Sequence, residues 1–290
     1  MRVAIIGAGK MGVWFAQFFR EEGHSVVIAS RNEKKLARVG KKLDFETASF
    51  EQAVKKADKI LICVSLDAFK KVVKTISPEI KKDQIIIDIC SIKEYPVEVM
   101  HKYFGKNLIL GMHPVFGPGS TSLKNKTIIL TPTNSKETKF AESFKKWLEQ
   151  KDVRVFIMTP KKHDRLMSVV LGFPHFIGLV ACDVLLDQKN YSETKNVAGT
   201  TFRMLFTLAE VAALETPELF NSLQSNLPEI AELENMFIEK ASEWLELIKK
   251  KDSIAITAKM KQLKSKLKRK NANYESSYKT MYKMLESSET

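Results

Sequence analysis

Up to residue 157, apolar residues fall into short blocks set between longer amphipathic stretches. The blocks at 2–6, 25–29, 59–64, 84–88, 108–112, 127–131 and 154–157 read as strands. The stretch after Gly12 carries Val13, Phe15, Ala16, Phe18 and Phe19 at helical spacing and stops at Gly23. Further helices are expected at 49–57, 67–76, 95–104 and 137–149. Block 84–88 is rich in isoleucine, as a strand buried on both faces should be. Strands alternating with helices in this way predict a parallel, doubly wound sheet.

Past Thr159-Pro160 the strand pattern fades. Residues 163–186 form a long, mostly apolar helical stretch interrupted at Gly172 and Pro174-His175, and Pro174 is expected to kink or break it. A helix follows at 202–214, and Thr216-Pro217 reads as an N-cap followed by proline at the first helical position. Pro228 opens another helix, with Ile230, Leu233, Phe237, Ala241, Trp244 and Ile248 on one face. Asp252 or Ser253 caps a last one, whose stripe is Met260, Leu263, Leu267, Tyr274, Tyr278, Met281 and Leu285. Such a stripe must be buried, against its own domain or a second subunit. The expected architecture is α/β: a Rossmann-type doubly wound parallel sheet over residues 1–160, then an all-helical domain over 161–290 with a lysine-rich C-terminal helix. A length of 290 residues suits two domains at roughly 150 residues each.

Composition narrows the class. The sequence reads as having no apolar run near the ~20 residues that span a bilayer, and its start, Met1-Arg2-Val3, does not resemble a signal peptide. Cys63, Cys90 and Cys182 lack CxxC spacing and read as reduced core thiols of a cytoplasmic protein, with no metal site. The formal charge is +13, and residues 259–283 hold nine Lys or Arg against one acid, Glu275. A positive field suits nucleic acid or small anions alike. No nucleic-acid motif accompanies it, so a solvated lysine face on a packing helix is the expectation.

Five stretches carry chemistry. Strand 2–6 runs into Gly7-Ala8-Gly9-Lys10-Met11-Gly12 and then a helix, the context a dinucleotide fingerprint requires. Gly7 permits the turn, Gly9 lets the backbone approach a pyrophosphate, and Gly12 allows close packing; Lys10, Met11 and Ser65 join the expected cofactor set. The second strand ends Ala29-Ser30-Arg31-Asn32, without the acid that usually binds the ribose of NAD. Ser30 and Arg31 suit a 2′-phosphate, so NADP is expected over NAD, which stays possible. Strand 108–112 leads into His113-Pro114-Val115-Phe116-Gly117-Pro118-Gly119, a stiff loop holding an imidazole where ligands of parallel sheets collect. Ser91 follows another strand, and His163-Asp164 is expected to open the second domain facing the interdomain cleft.

These stretches, in this order, resemble the prephenate/arogenate dehydrogenases of tyrosine biosynthesis. Asp88-Ile89-Cys90-Ser91-Ile92-Lys93, the His113 loop, and His163-Asp164 followed by Pro174-His175 carry the likeness, which covers roughly residues 1–250. The resemblance implies oxidative decarboxylation of prephenate or arogenate by a nicotinamide cofactor, and a homodimer formed by the helical domain. It makes His113 the acceptor and base on the ring hydroxyl and Ser91 a hydrogen-bonding partner of that hydroxyl. Backbone N–H groups at Gly117 and the side chains of His163 and Arg203 would bind substrate, with His175 standing behind them. Thr207 departs from the arginine that many members carry four residues after the Arg203 position. An imidazole base titrating near ~6.5 predicts a rate that rises through that pH. Two other readings remain. One is a two-domain NADP oxidoreductase of the hydroxyacid dehydrogenase or imine reductase kind, which would place a lysine where His163-Asp164 stands. The other is a non-catalytic NADP-sensing protein.

Overall fold

The computed structural model describes residues 1–286. Its contacts divide the chain into two compact units, residues 1–167 with 221–228, and residues 168–220 with those from 229 on.

The first unit contains β1 (Arg2–Ile6), α1 (Lys10–Glu21), β2 (Ser25–Ala29), α2 (Glu33–Leu43), β3 (Glu46–Ala48), α3 (Phe50–Lys55), β4 (Lys59–Ile62), α4 (Leu66–Ile76), β5 (Ile85–Asp88), α5 (Glu94–Phe104), β6 (Leu108–Pro114), β7 (Thr127–Thr131), α6 (Ser135–Glu149), β8 (Arg154–Ile157) and α7 (Pro160–Met167). The eight strands form one sheet in the order β3-β2-β1-β4-β5-β6-β7-β8. Alternate residues of the central strands feed two apolar layers. Val3, Ile5, Leu61, Ile87 and Leu110 meet Phe15 and Phe19 of α1 and Leu148 of α6. Ala4, Ile6, Ile60, Ile62, Ile86 and Ile109 meet Phe69, Val72 and Ile76 of α4 and Met100 and Phe104 of α5. That is why these strands read as unbroken apolar runs: both faces are covered.

Two elements escape the hydrophobic pattern. In α2 only Val39 is buried, and β3 is a three-residue edge strand, so neither shows a strong apolar signal. The sheet is also not parallel throughout. β7 returns antiparallel to β6, pairing Met112 with Leu130, His113 with Ile129 and Pro114 with Ile128. This pairing carries β6 two residues past the expected end at Met112, so His113 lies in the strand and not in the loop after it.

The second unit holds α8 (Phe173–Leu186), α9 (Tyr191–Asn196), α10 (Thr200–Leu214), the start of α11 (Pro217–Asn226), α12 (Ile230–Lys249), α13 (Ser253–Lys270) and α14 (Ser277–Glu286). Thr216 caps α11 as expected, its hydroxyl accepting from Leu219 N–H at 3.3 Å. Asp252 caps α13, accepting from Ala255 N–H at 2.9 Å. The expected single last helix is two, parted around a short 3-10 turn at Tyr274–Ser276, and its stripe divides between them.

Pro174 does not break its helix. The turns ahead of it widen into a π-helix at Ser168–Gly172, a common way to absorb a missing donor. Within the widened turn the ring of His175 donates from Nδ1 to the Leu171 carbonyl at 2.7 Å. Helical turns therefore run from Pro160 to Leu186, long and apolar enough to cross a bilayer by length and composition. The sequence reading, stopped by Gly172 and Pro174, missed this run. Val169, Val170, Val180, Val184 and Leu186 are exposed along it.

Candidate active site

The turn after β1 is built for close approach. Gly7 has φ +127°, and a Cβ there would lie 2.2 Å from the Cys63 carbonyl oxygen. A Cβ on Gly12 would lie 2.0 Å from the carbonyl oxygen of Gly7, so α1 sits directly on the turn. Gly9, by contrast, has nothing within 4 Å of its Cβ position. It is the N-cap of α1 and offers no side chain to the first N–H groups, which leaves them for an anion. A cleft of about 670 Å³ opens beside it, lined by Ala8, Gly9, Lys10 and, from α2, Lys35, Arg38 and Lys42. These residues fit the pyrophosphate of a dinucleotide. Met11 packs inward against the core, and Ser65 is the N-cap of α4 with its hydroxyl making no cap bond.

At the end of β2 the Ser30 hydroxyl accepts from Asn32 N–H at 3.3 Å, and Asn32 caps α2 through Lys35 N–H at 2.9 Å. Arg31, Asn32, Glu33 and Lys34 line an open cavity of about 530 Å³. Here the structure corrects the sequence reading, because Glu33 puts a carboxylate on a surface taken to have none. Lys34 adds a cation there that the reading did not name.

The imidazoles form a cluster in the first unit. His113 in β6 and His163 in α7 are 4% and 0% exposed. Nδ1 of His113 lies 2.8 Å from Nε2 of His163, and Nδ1 of His163 lies 2.6 Å from Oδ1 of Asp164. Asp164 reaches on to the start of α5, where it accepts from Lys93 N–H at 2.7 Å and Glu94 N–H at 2.9 Å. It thus supplies the N-cap that α5 lacks from its own side chains. The Lys93 side chain is fully buried, paired with Asp88 and donating to the Met112 carbonyl at 2.9 Å. One residue therefore ties the end of β5 to the peptide just before His113. Gly111 leaves the room, since a Cβ there would lie 2.2 Å from Thr131 Oγ1 and 3.1 Å from Lys93 Cδ.

The electrostatics follow from burial. Desolvation, reinforced by His163 and the Lys93 ammonium, holds His113 well below the usual histidine range. Desolvation also lowers His163, against the opposing hydrogen bond to Asp164. Burial pushes the Asp88 carboxyl up, against the pull of Lys93. At neutral pH the two rings are therefore uncharged, and a neutral imidazole can take a proton.

Other expected site residues are placed as follows. Ser91 is half-buried on the loop between β5 and α5, and Gly117 is exposed in the turn after β6. His163 was expected to open the second domain and bind substrate. It lies instead in the first unit, with both ring nitrogens engaged by His113 and Asp164. Arg203 belongs to the second unit, on α10, in a cavity of about 420 Å³ with Lys195, Phe202, Phe206, Thr207 and Glu210. Nδ1 of His175 bonds the Leu171 carbonyl at 2.7 Å. The motifs contain Lys93, Asp88 and Asp164, but sequence alone assigns them no role. The signal for them is a lysine and an aspartate bracketing a short, mostly apolar loop directly after a strand.

Residues 15–157 match the family model described as prephenate dehydrogenase, nucleotide-binding domain, and residues 159–262 match the one described as prephenate dehydrogenase, dimerization domain. The chain is 28% identical to the probable arogenate/prephenate dehydrogenase of Methanocaldococcus jannaschii over 90% of its own length and 60% of that protein's. It thus spans less than two thirds of that relative. It is 24% identical to the cyclohexadienyl dehydrogenase of Zymomonas mobilis, covering 81% of this chain and 84% of the relative. The crystal structure of Aquifex aeolicus prephenate dehydrogenase in complex with hydroxyphenyl propionate and NAD+ shares its fold, with TM-score 0.75 at 22% identity over 93% of this chain and 98% of that one. Synechocystis arogenate dehydrogenase does so with TM-score 0.70 at 17% identity, over 93% and 99%.

Proposed function

Because this chain belongs to the prephenate dehydrogenase family, we propose that it oxidatively decarboxylates prephenate or arogenate with NADP, in the tyrosine branch of aromatic biosynthesis. The observation that carries the reading is His113, a buried neutral imidazole in a sheet strand, held by a second imidazole at 2.8 Å. A nicotinamide, when bound at the glycine turn, supplies the hydride acceptor. His113 takes the proton of the ring hydroxyl, which removes the charge penalty of forming a carbonyl there. Loss of carbon dioxide from the ring carbon opposite then lets the ring become aromatic. Ser91 orients the hydroxyl, backbone N–H groups near Gly117 assist, and Arg203 pairs with a substrate carboxylate.

The preference for NADP over NAD rests on Ser30, Arg31 and Lys34 and is opposed by Glu33. For the exposed valines of residues 169–184 we take a second copy of this chain as the cover, because the matching model is described as a dimerization domain. A cytoplasmic location is part of the same reading. The test is direct: incubate the purified protein with prephenate and with arogenate, each with NADP+ and with NAD+, and follow reduced nicotinamide by absorbance. Turnover of at least one substrate, faster with NADP+, is expected. No turnover of either substrate overturns the activity, and faster turnover with NAD+ overturns the cofactor choice alone.

A further inference from the structure

We infer that Asp164 is a positioning residue that acts on His113 through His163: it decides which nitrogen of His113 keeps a lone pair and offsets the positive charge that His163 receives when that nitrogen is protonated. The inference rests on the reading of His113 as the base.

The argument starts at the carboxylate. Asp164 Oδ1 accepts from Lys93 N–H, and Oδ2 accepts from Glu94 N–H. The donors are the N-cap amide and the first helical amide of α5, an eleven-residue helix, and amides at a helix N-terminus favour a negative charge. An ionised carboxylate is an acceptor only. His163 Nδ1, 2.6 Å from Oδ1, must therefore carry hydrogen and donate it. A neutral His163 then has its lone pair on Nε2. That atom faces His113 Nδ1 at 2.8 Å, and two lone pairs at this distance would repel, so His113 Nδ1 donates. The remaining nitrogen of His113, Nε2, is left as a base. A chain of three hydrogen-bonded groups thus fixes two tautomers that an isolated imidazole would leave free.

The same chain handles charge. A proton taken from the substrate hydroxyl forms a bond to His113 Nε2. His113 passes its Nδ1 proton to His163 Nε2, and His163 becomes a cation with its Nδ1–H still on Asp164. One proton enters and one moves, while the electron pair of the substrate C–H bond leaves as hydride to the nicotinamide. Among the described residues, the charged groups acting on the two rings from the sheet side are the Lys93 ammonium, at the start of α5, and the Asp88 carboxylate that pairs with it, at the end of β5. From α7 comes Asp164, and β7 faces His113 with apolar Ile129. Two carboxylates stand against one ammonium, so an arriving proton cancels an excess negative charge. Without Asp164 it would add a second cation beside Lys93.

The test uses the full-length protein, labelled with 15N at histidine. In the wild type, imidazole nitrogen shifts should show His113 protonated at Nδ1 and bare at Nε2. In Asp164→Asn this preference should be lost, with kcat lowered at least about tenfold and the acid limb of its pH profile moved to lower pH. Because Asp164 also caps α5, a second pair guards against misfolding. His163→Gln keeps an oxygen able to accept from His113 Nδ1–H but cannot take its proton, so it should keep the Nδ1 tautomer that His163→Leu loses, while kcat falls in both. A wild-type His113 protonated at Nε2, an unmoved limb in a folded Asp164→Asn, or full activity in His163→Gln overturns the inference. The nitrogen shifts need no substrate, so they decide the relay even if neither proposed substrate turns over.

Discussion

His113 Nδ1 and His163 Nε2 lie 2.8 Å apart, though fifty positions separate the two residues. The contact joins a sheet strand to the first helix beyond the sheet, and both rings are closed off from solvent. It converts a lone histidine at the end of an apolar strand into one member of a hydrogen-bonded set.

His113→Asn removes the proposed base but keeps a side chain of similar polarity. The rate constant should fall by about two or more orders of magnitude, the usual scale for a lost general base. Cofactor binding, read by fluorescence titration, should change little, because the glycine turn lies on another strand. Normal turnover in the variant removes His113 from the mechanism.

The pH profile should depart from that of an ordinary histidine. A base must be neutral to act, and burial beside His163 and Lys93 lowers the His113 pKa well below its usual value. The active form therefore persists as pH falls, and the oxidative rate should hold its plateau below the ~6.5 midpoint expected from sequence. A midpoint at or above that value in a plot of kcat against pH contradicts the burial argument.

Stability should respond to acid by the same groups. His113 and His163 both have folded-state values below the unfolded one, so protonation favours the unfolded chain. Their contribution is complete above about 6.5, the unfolded value, and is lost as pH falls from there toward the folded values. Melting temperature should therefore decline below about 6.5 in the wild type, and less steeply in His163→Gln.

Gly111→Ala would place a methyl group against Thr131 Oγ1, Val97 Cγ2 and the Lys93 stem. Overpacking of this kind costs about 1–3 kcal/mol, and the displaced lysine would disturb the His113 peptide as well. Denaturant unfolding should show the loss together with a lower kcat. Unchanged stability and rate would mean that Lys93 has room to spare.

Arg31→Ala should raise KM for NADP+ by about tenfold or more and leave KM for NAD+ nearly unchanged, since only the 2′-phosphate loses its partner. Glu33→Gln should shift the ratio the other way, removing a carboxylate from the same surface. Initial rates at varied cofactor concentration decide both. Equal effects on the two cofactors would place Arg31 elsewhere than the 2′-phosphate.

The elements set by local pattern were legible in the sequence. The bounds of β2, β7 and β8 and the glycine turn follow from short apolar runs and from a backbone conformation that only glycine accepts readily, and both are properties of neighbours along the chain. The Rossmann sheet and a histidine near the end of one of its strands could be read in the same way. Contacts between distant residues could not. β6 extends through His113 because β7 returns beside it, and Pro174 is absorbed because the preceding turn widens. Lys93 is buried because Asp88, the Met112 carbonyl and the space at Gly111 meet in three dimensions. His163 turns from an expected substrate ligand into the partner of His113 for the same reason. A side chain's protonation and direction are set by whatever the fold packs against it, and only the tertiary structure brings those groups together.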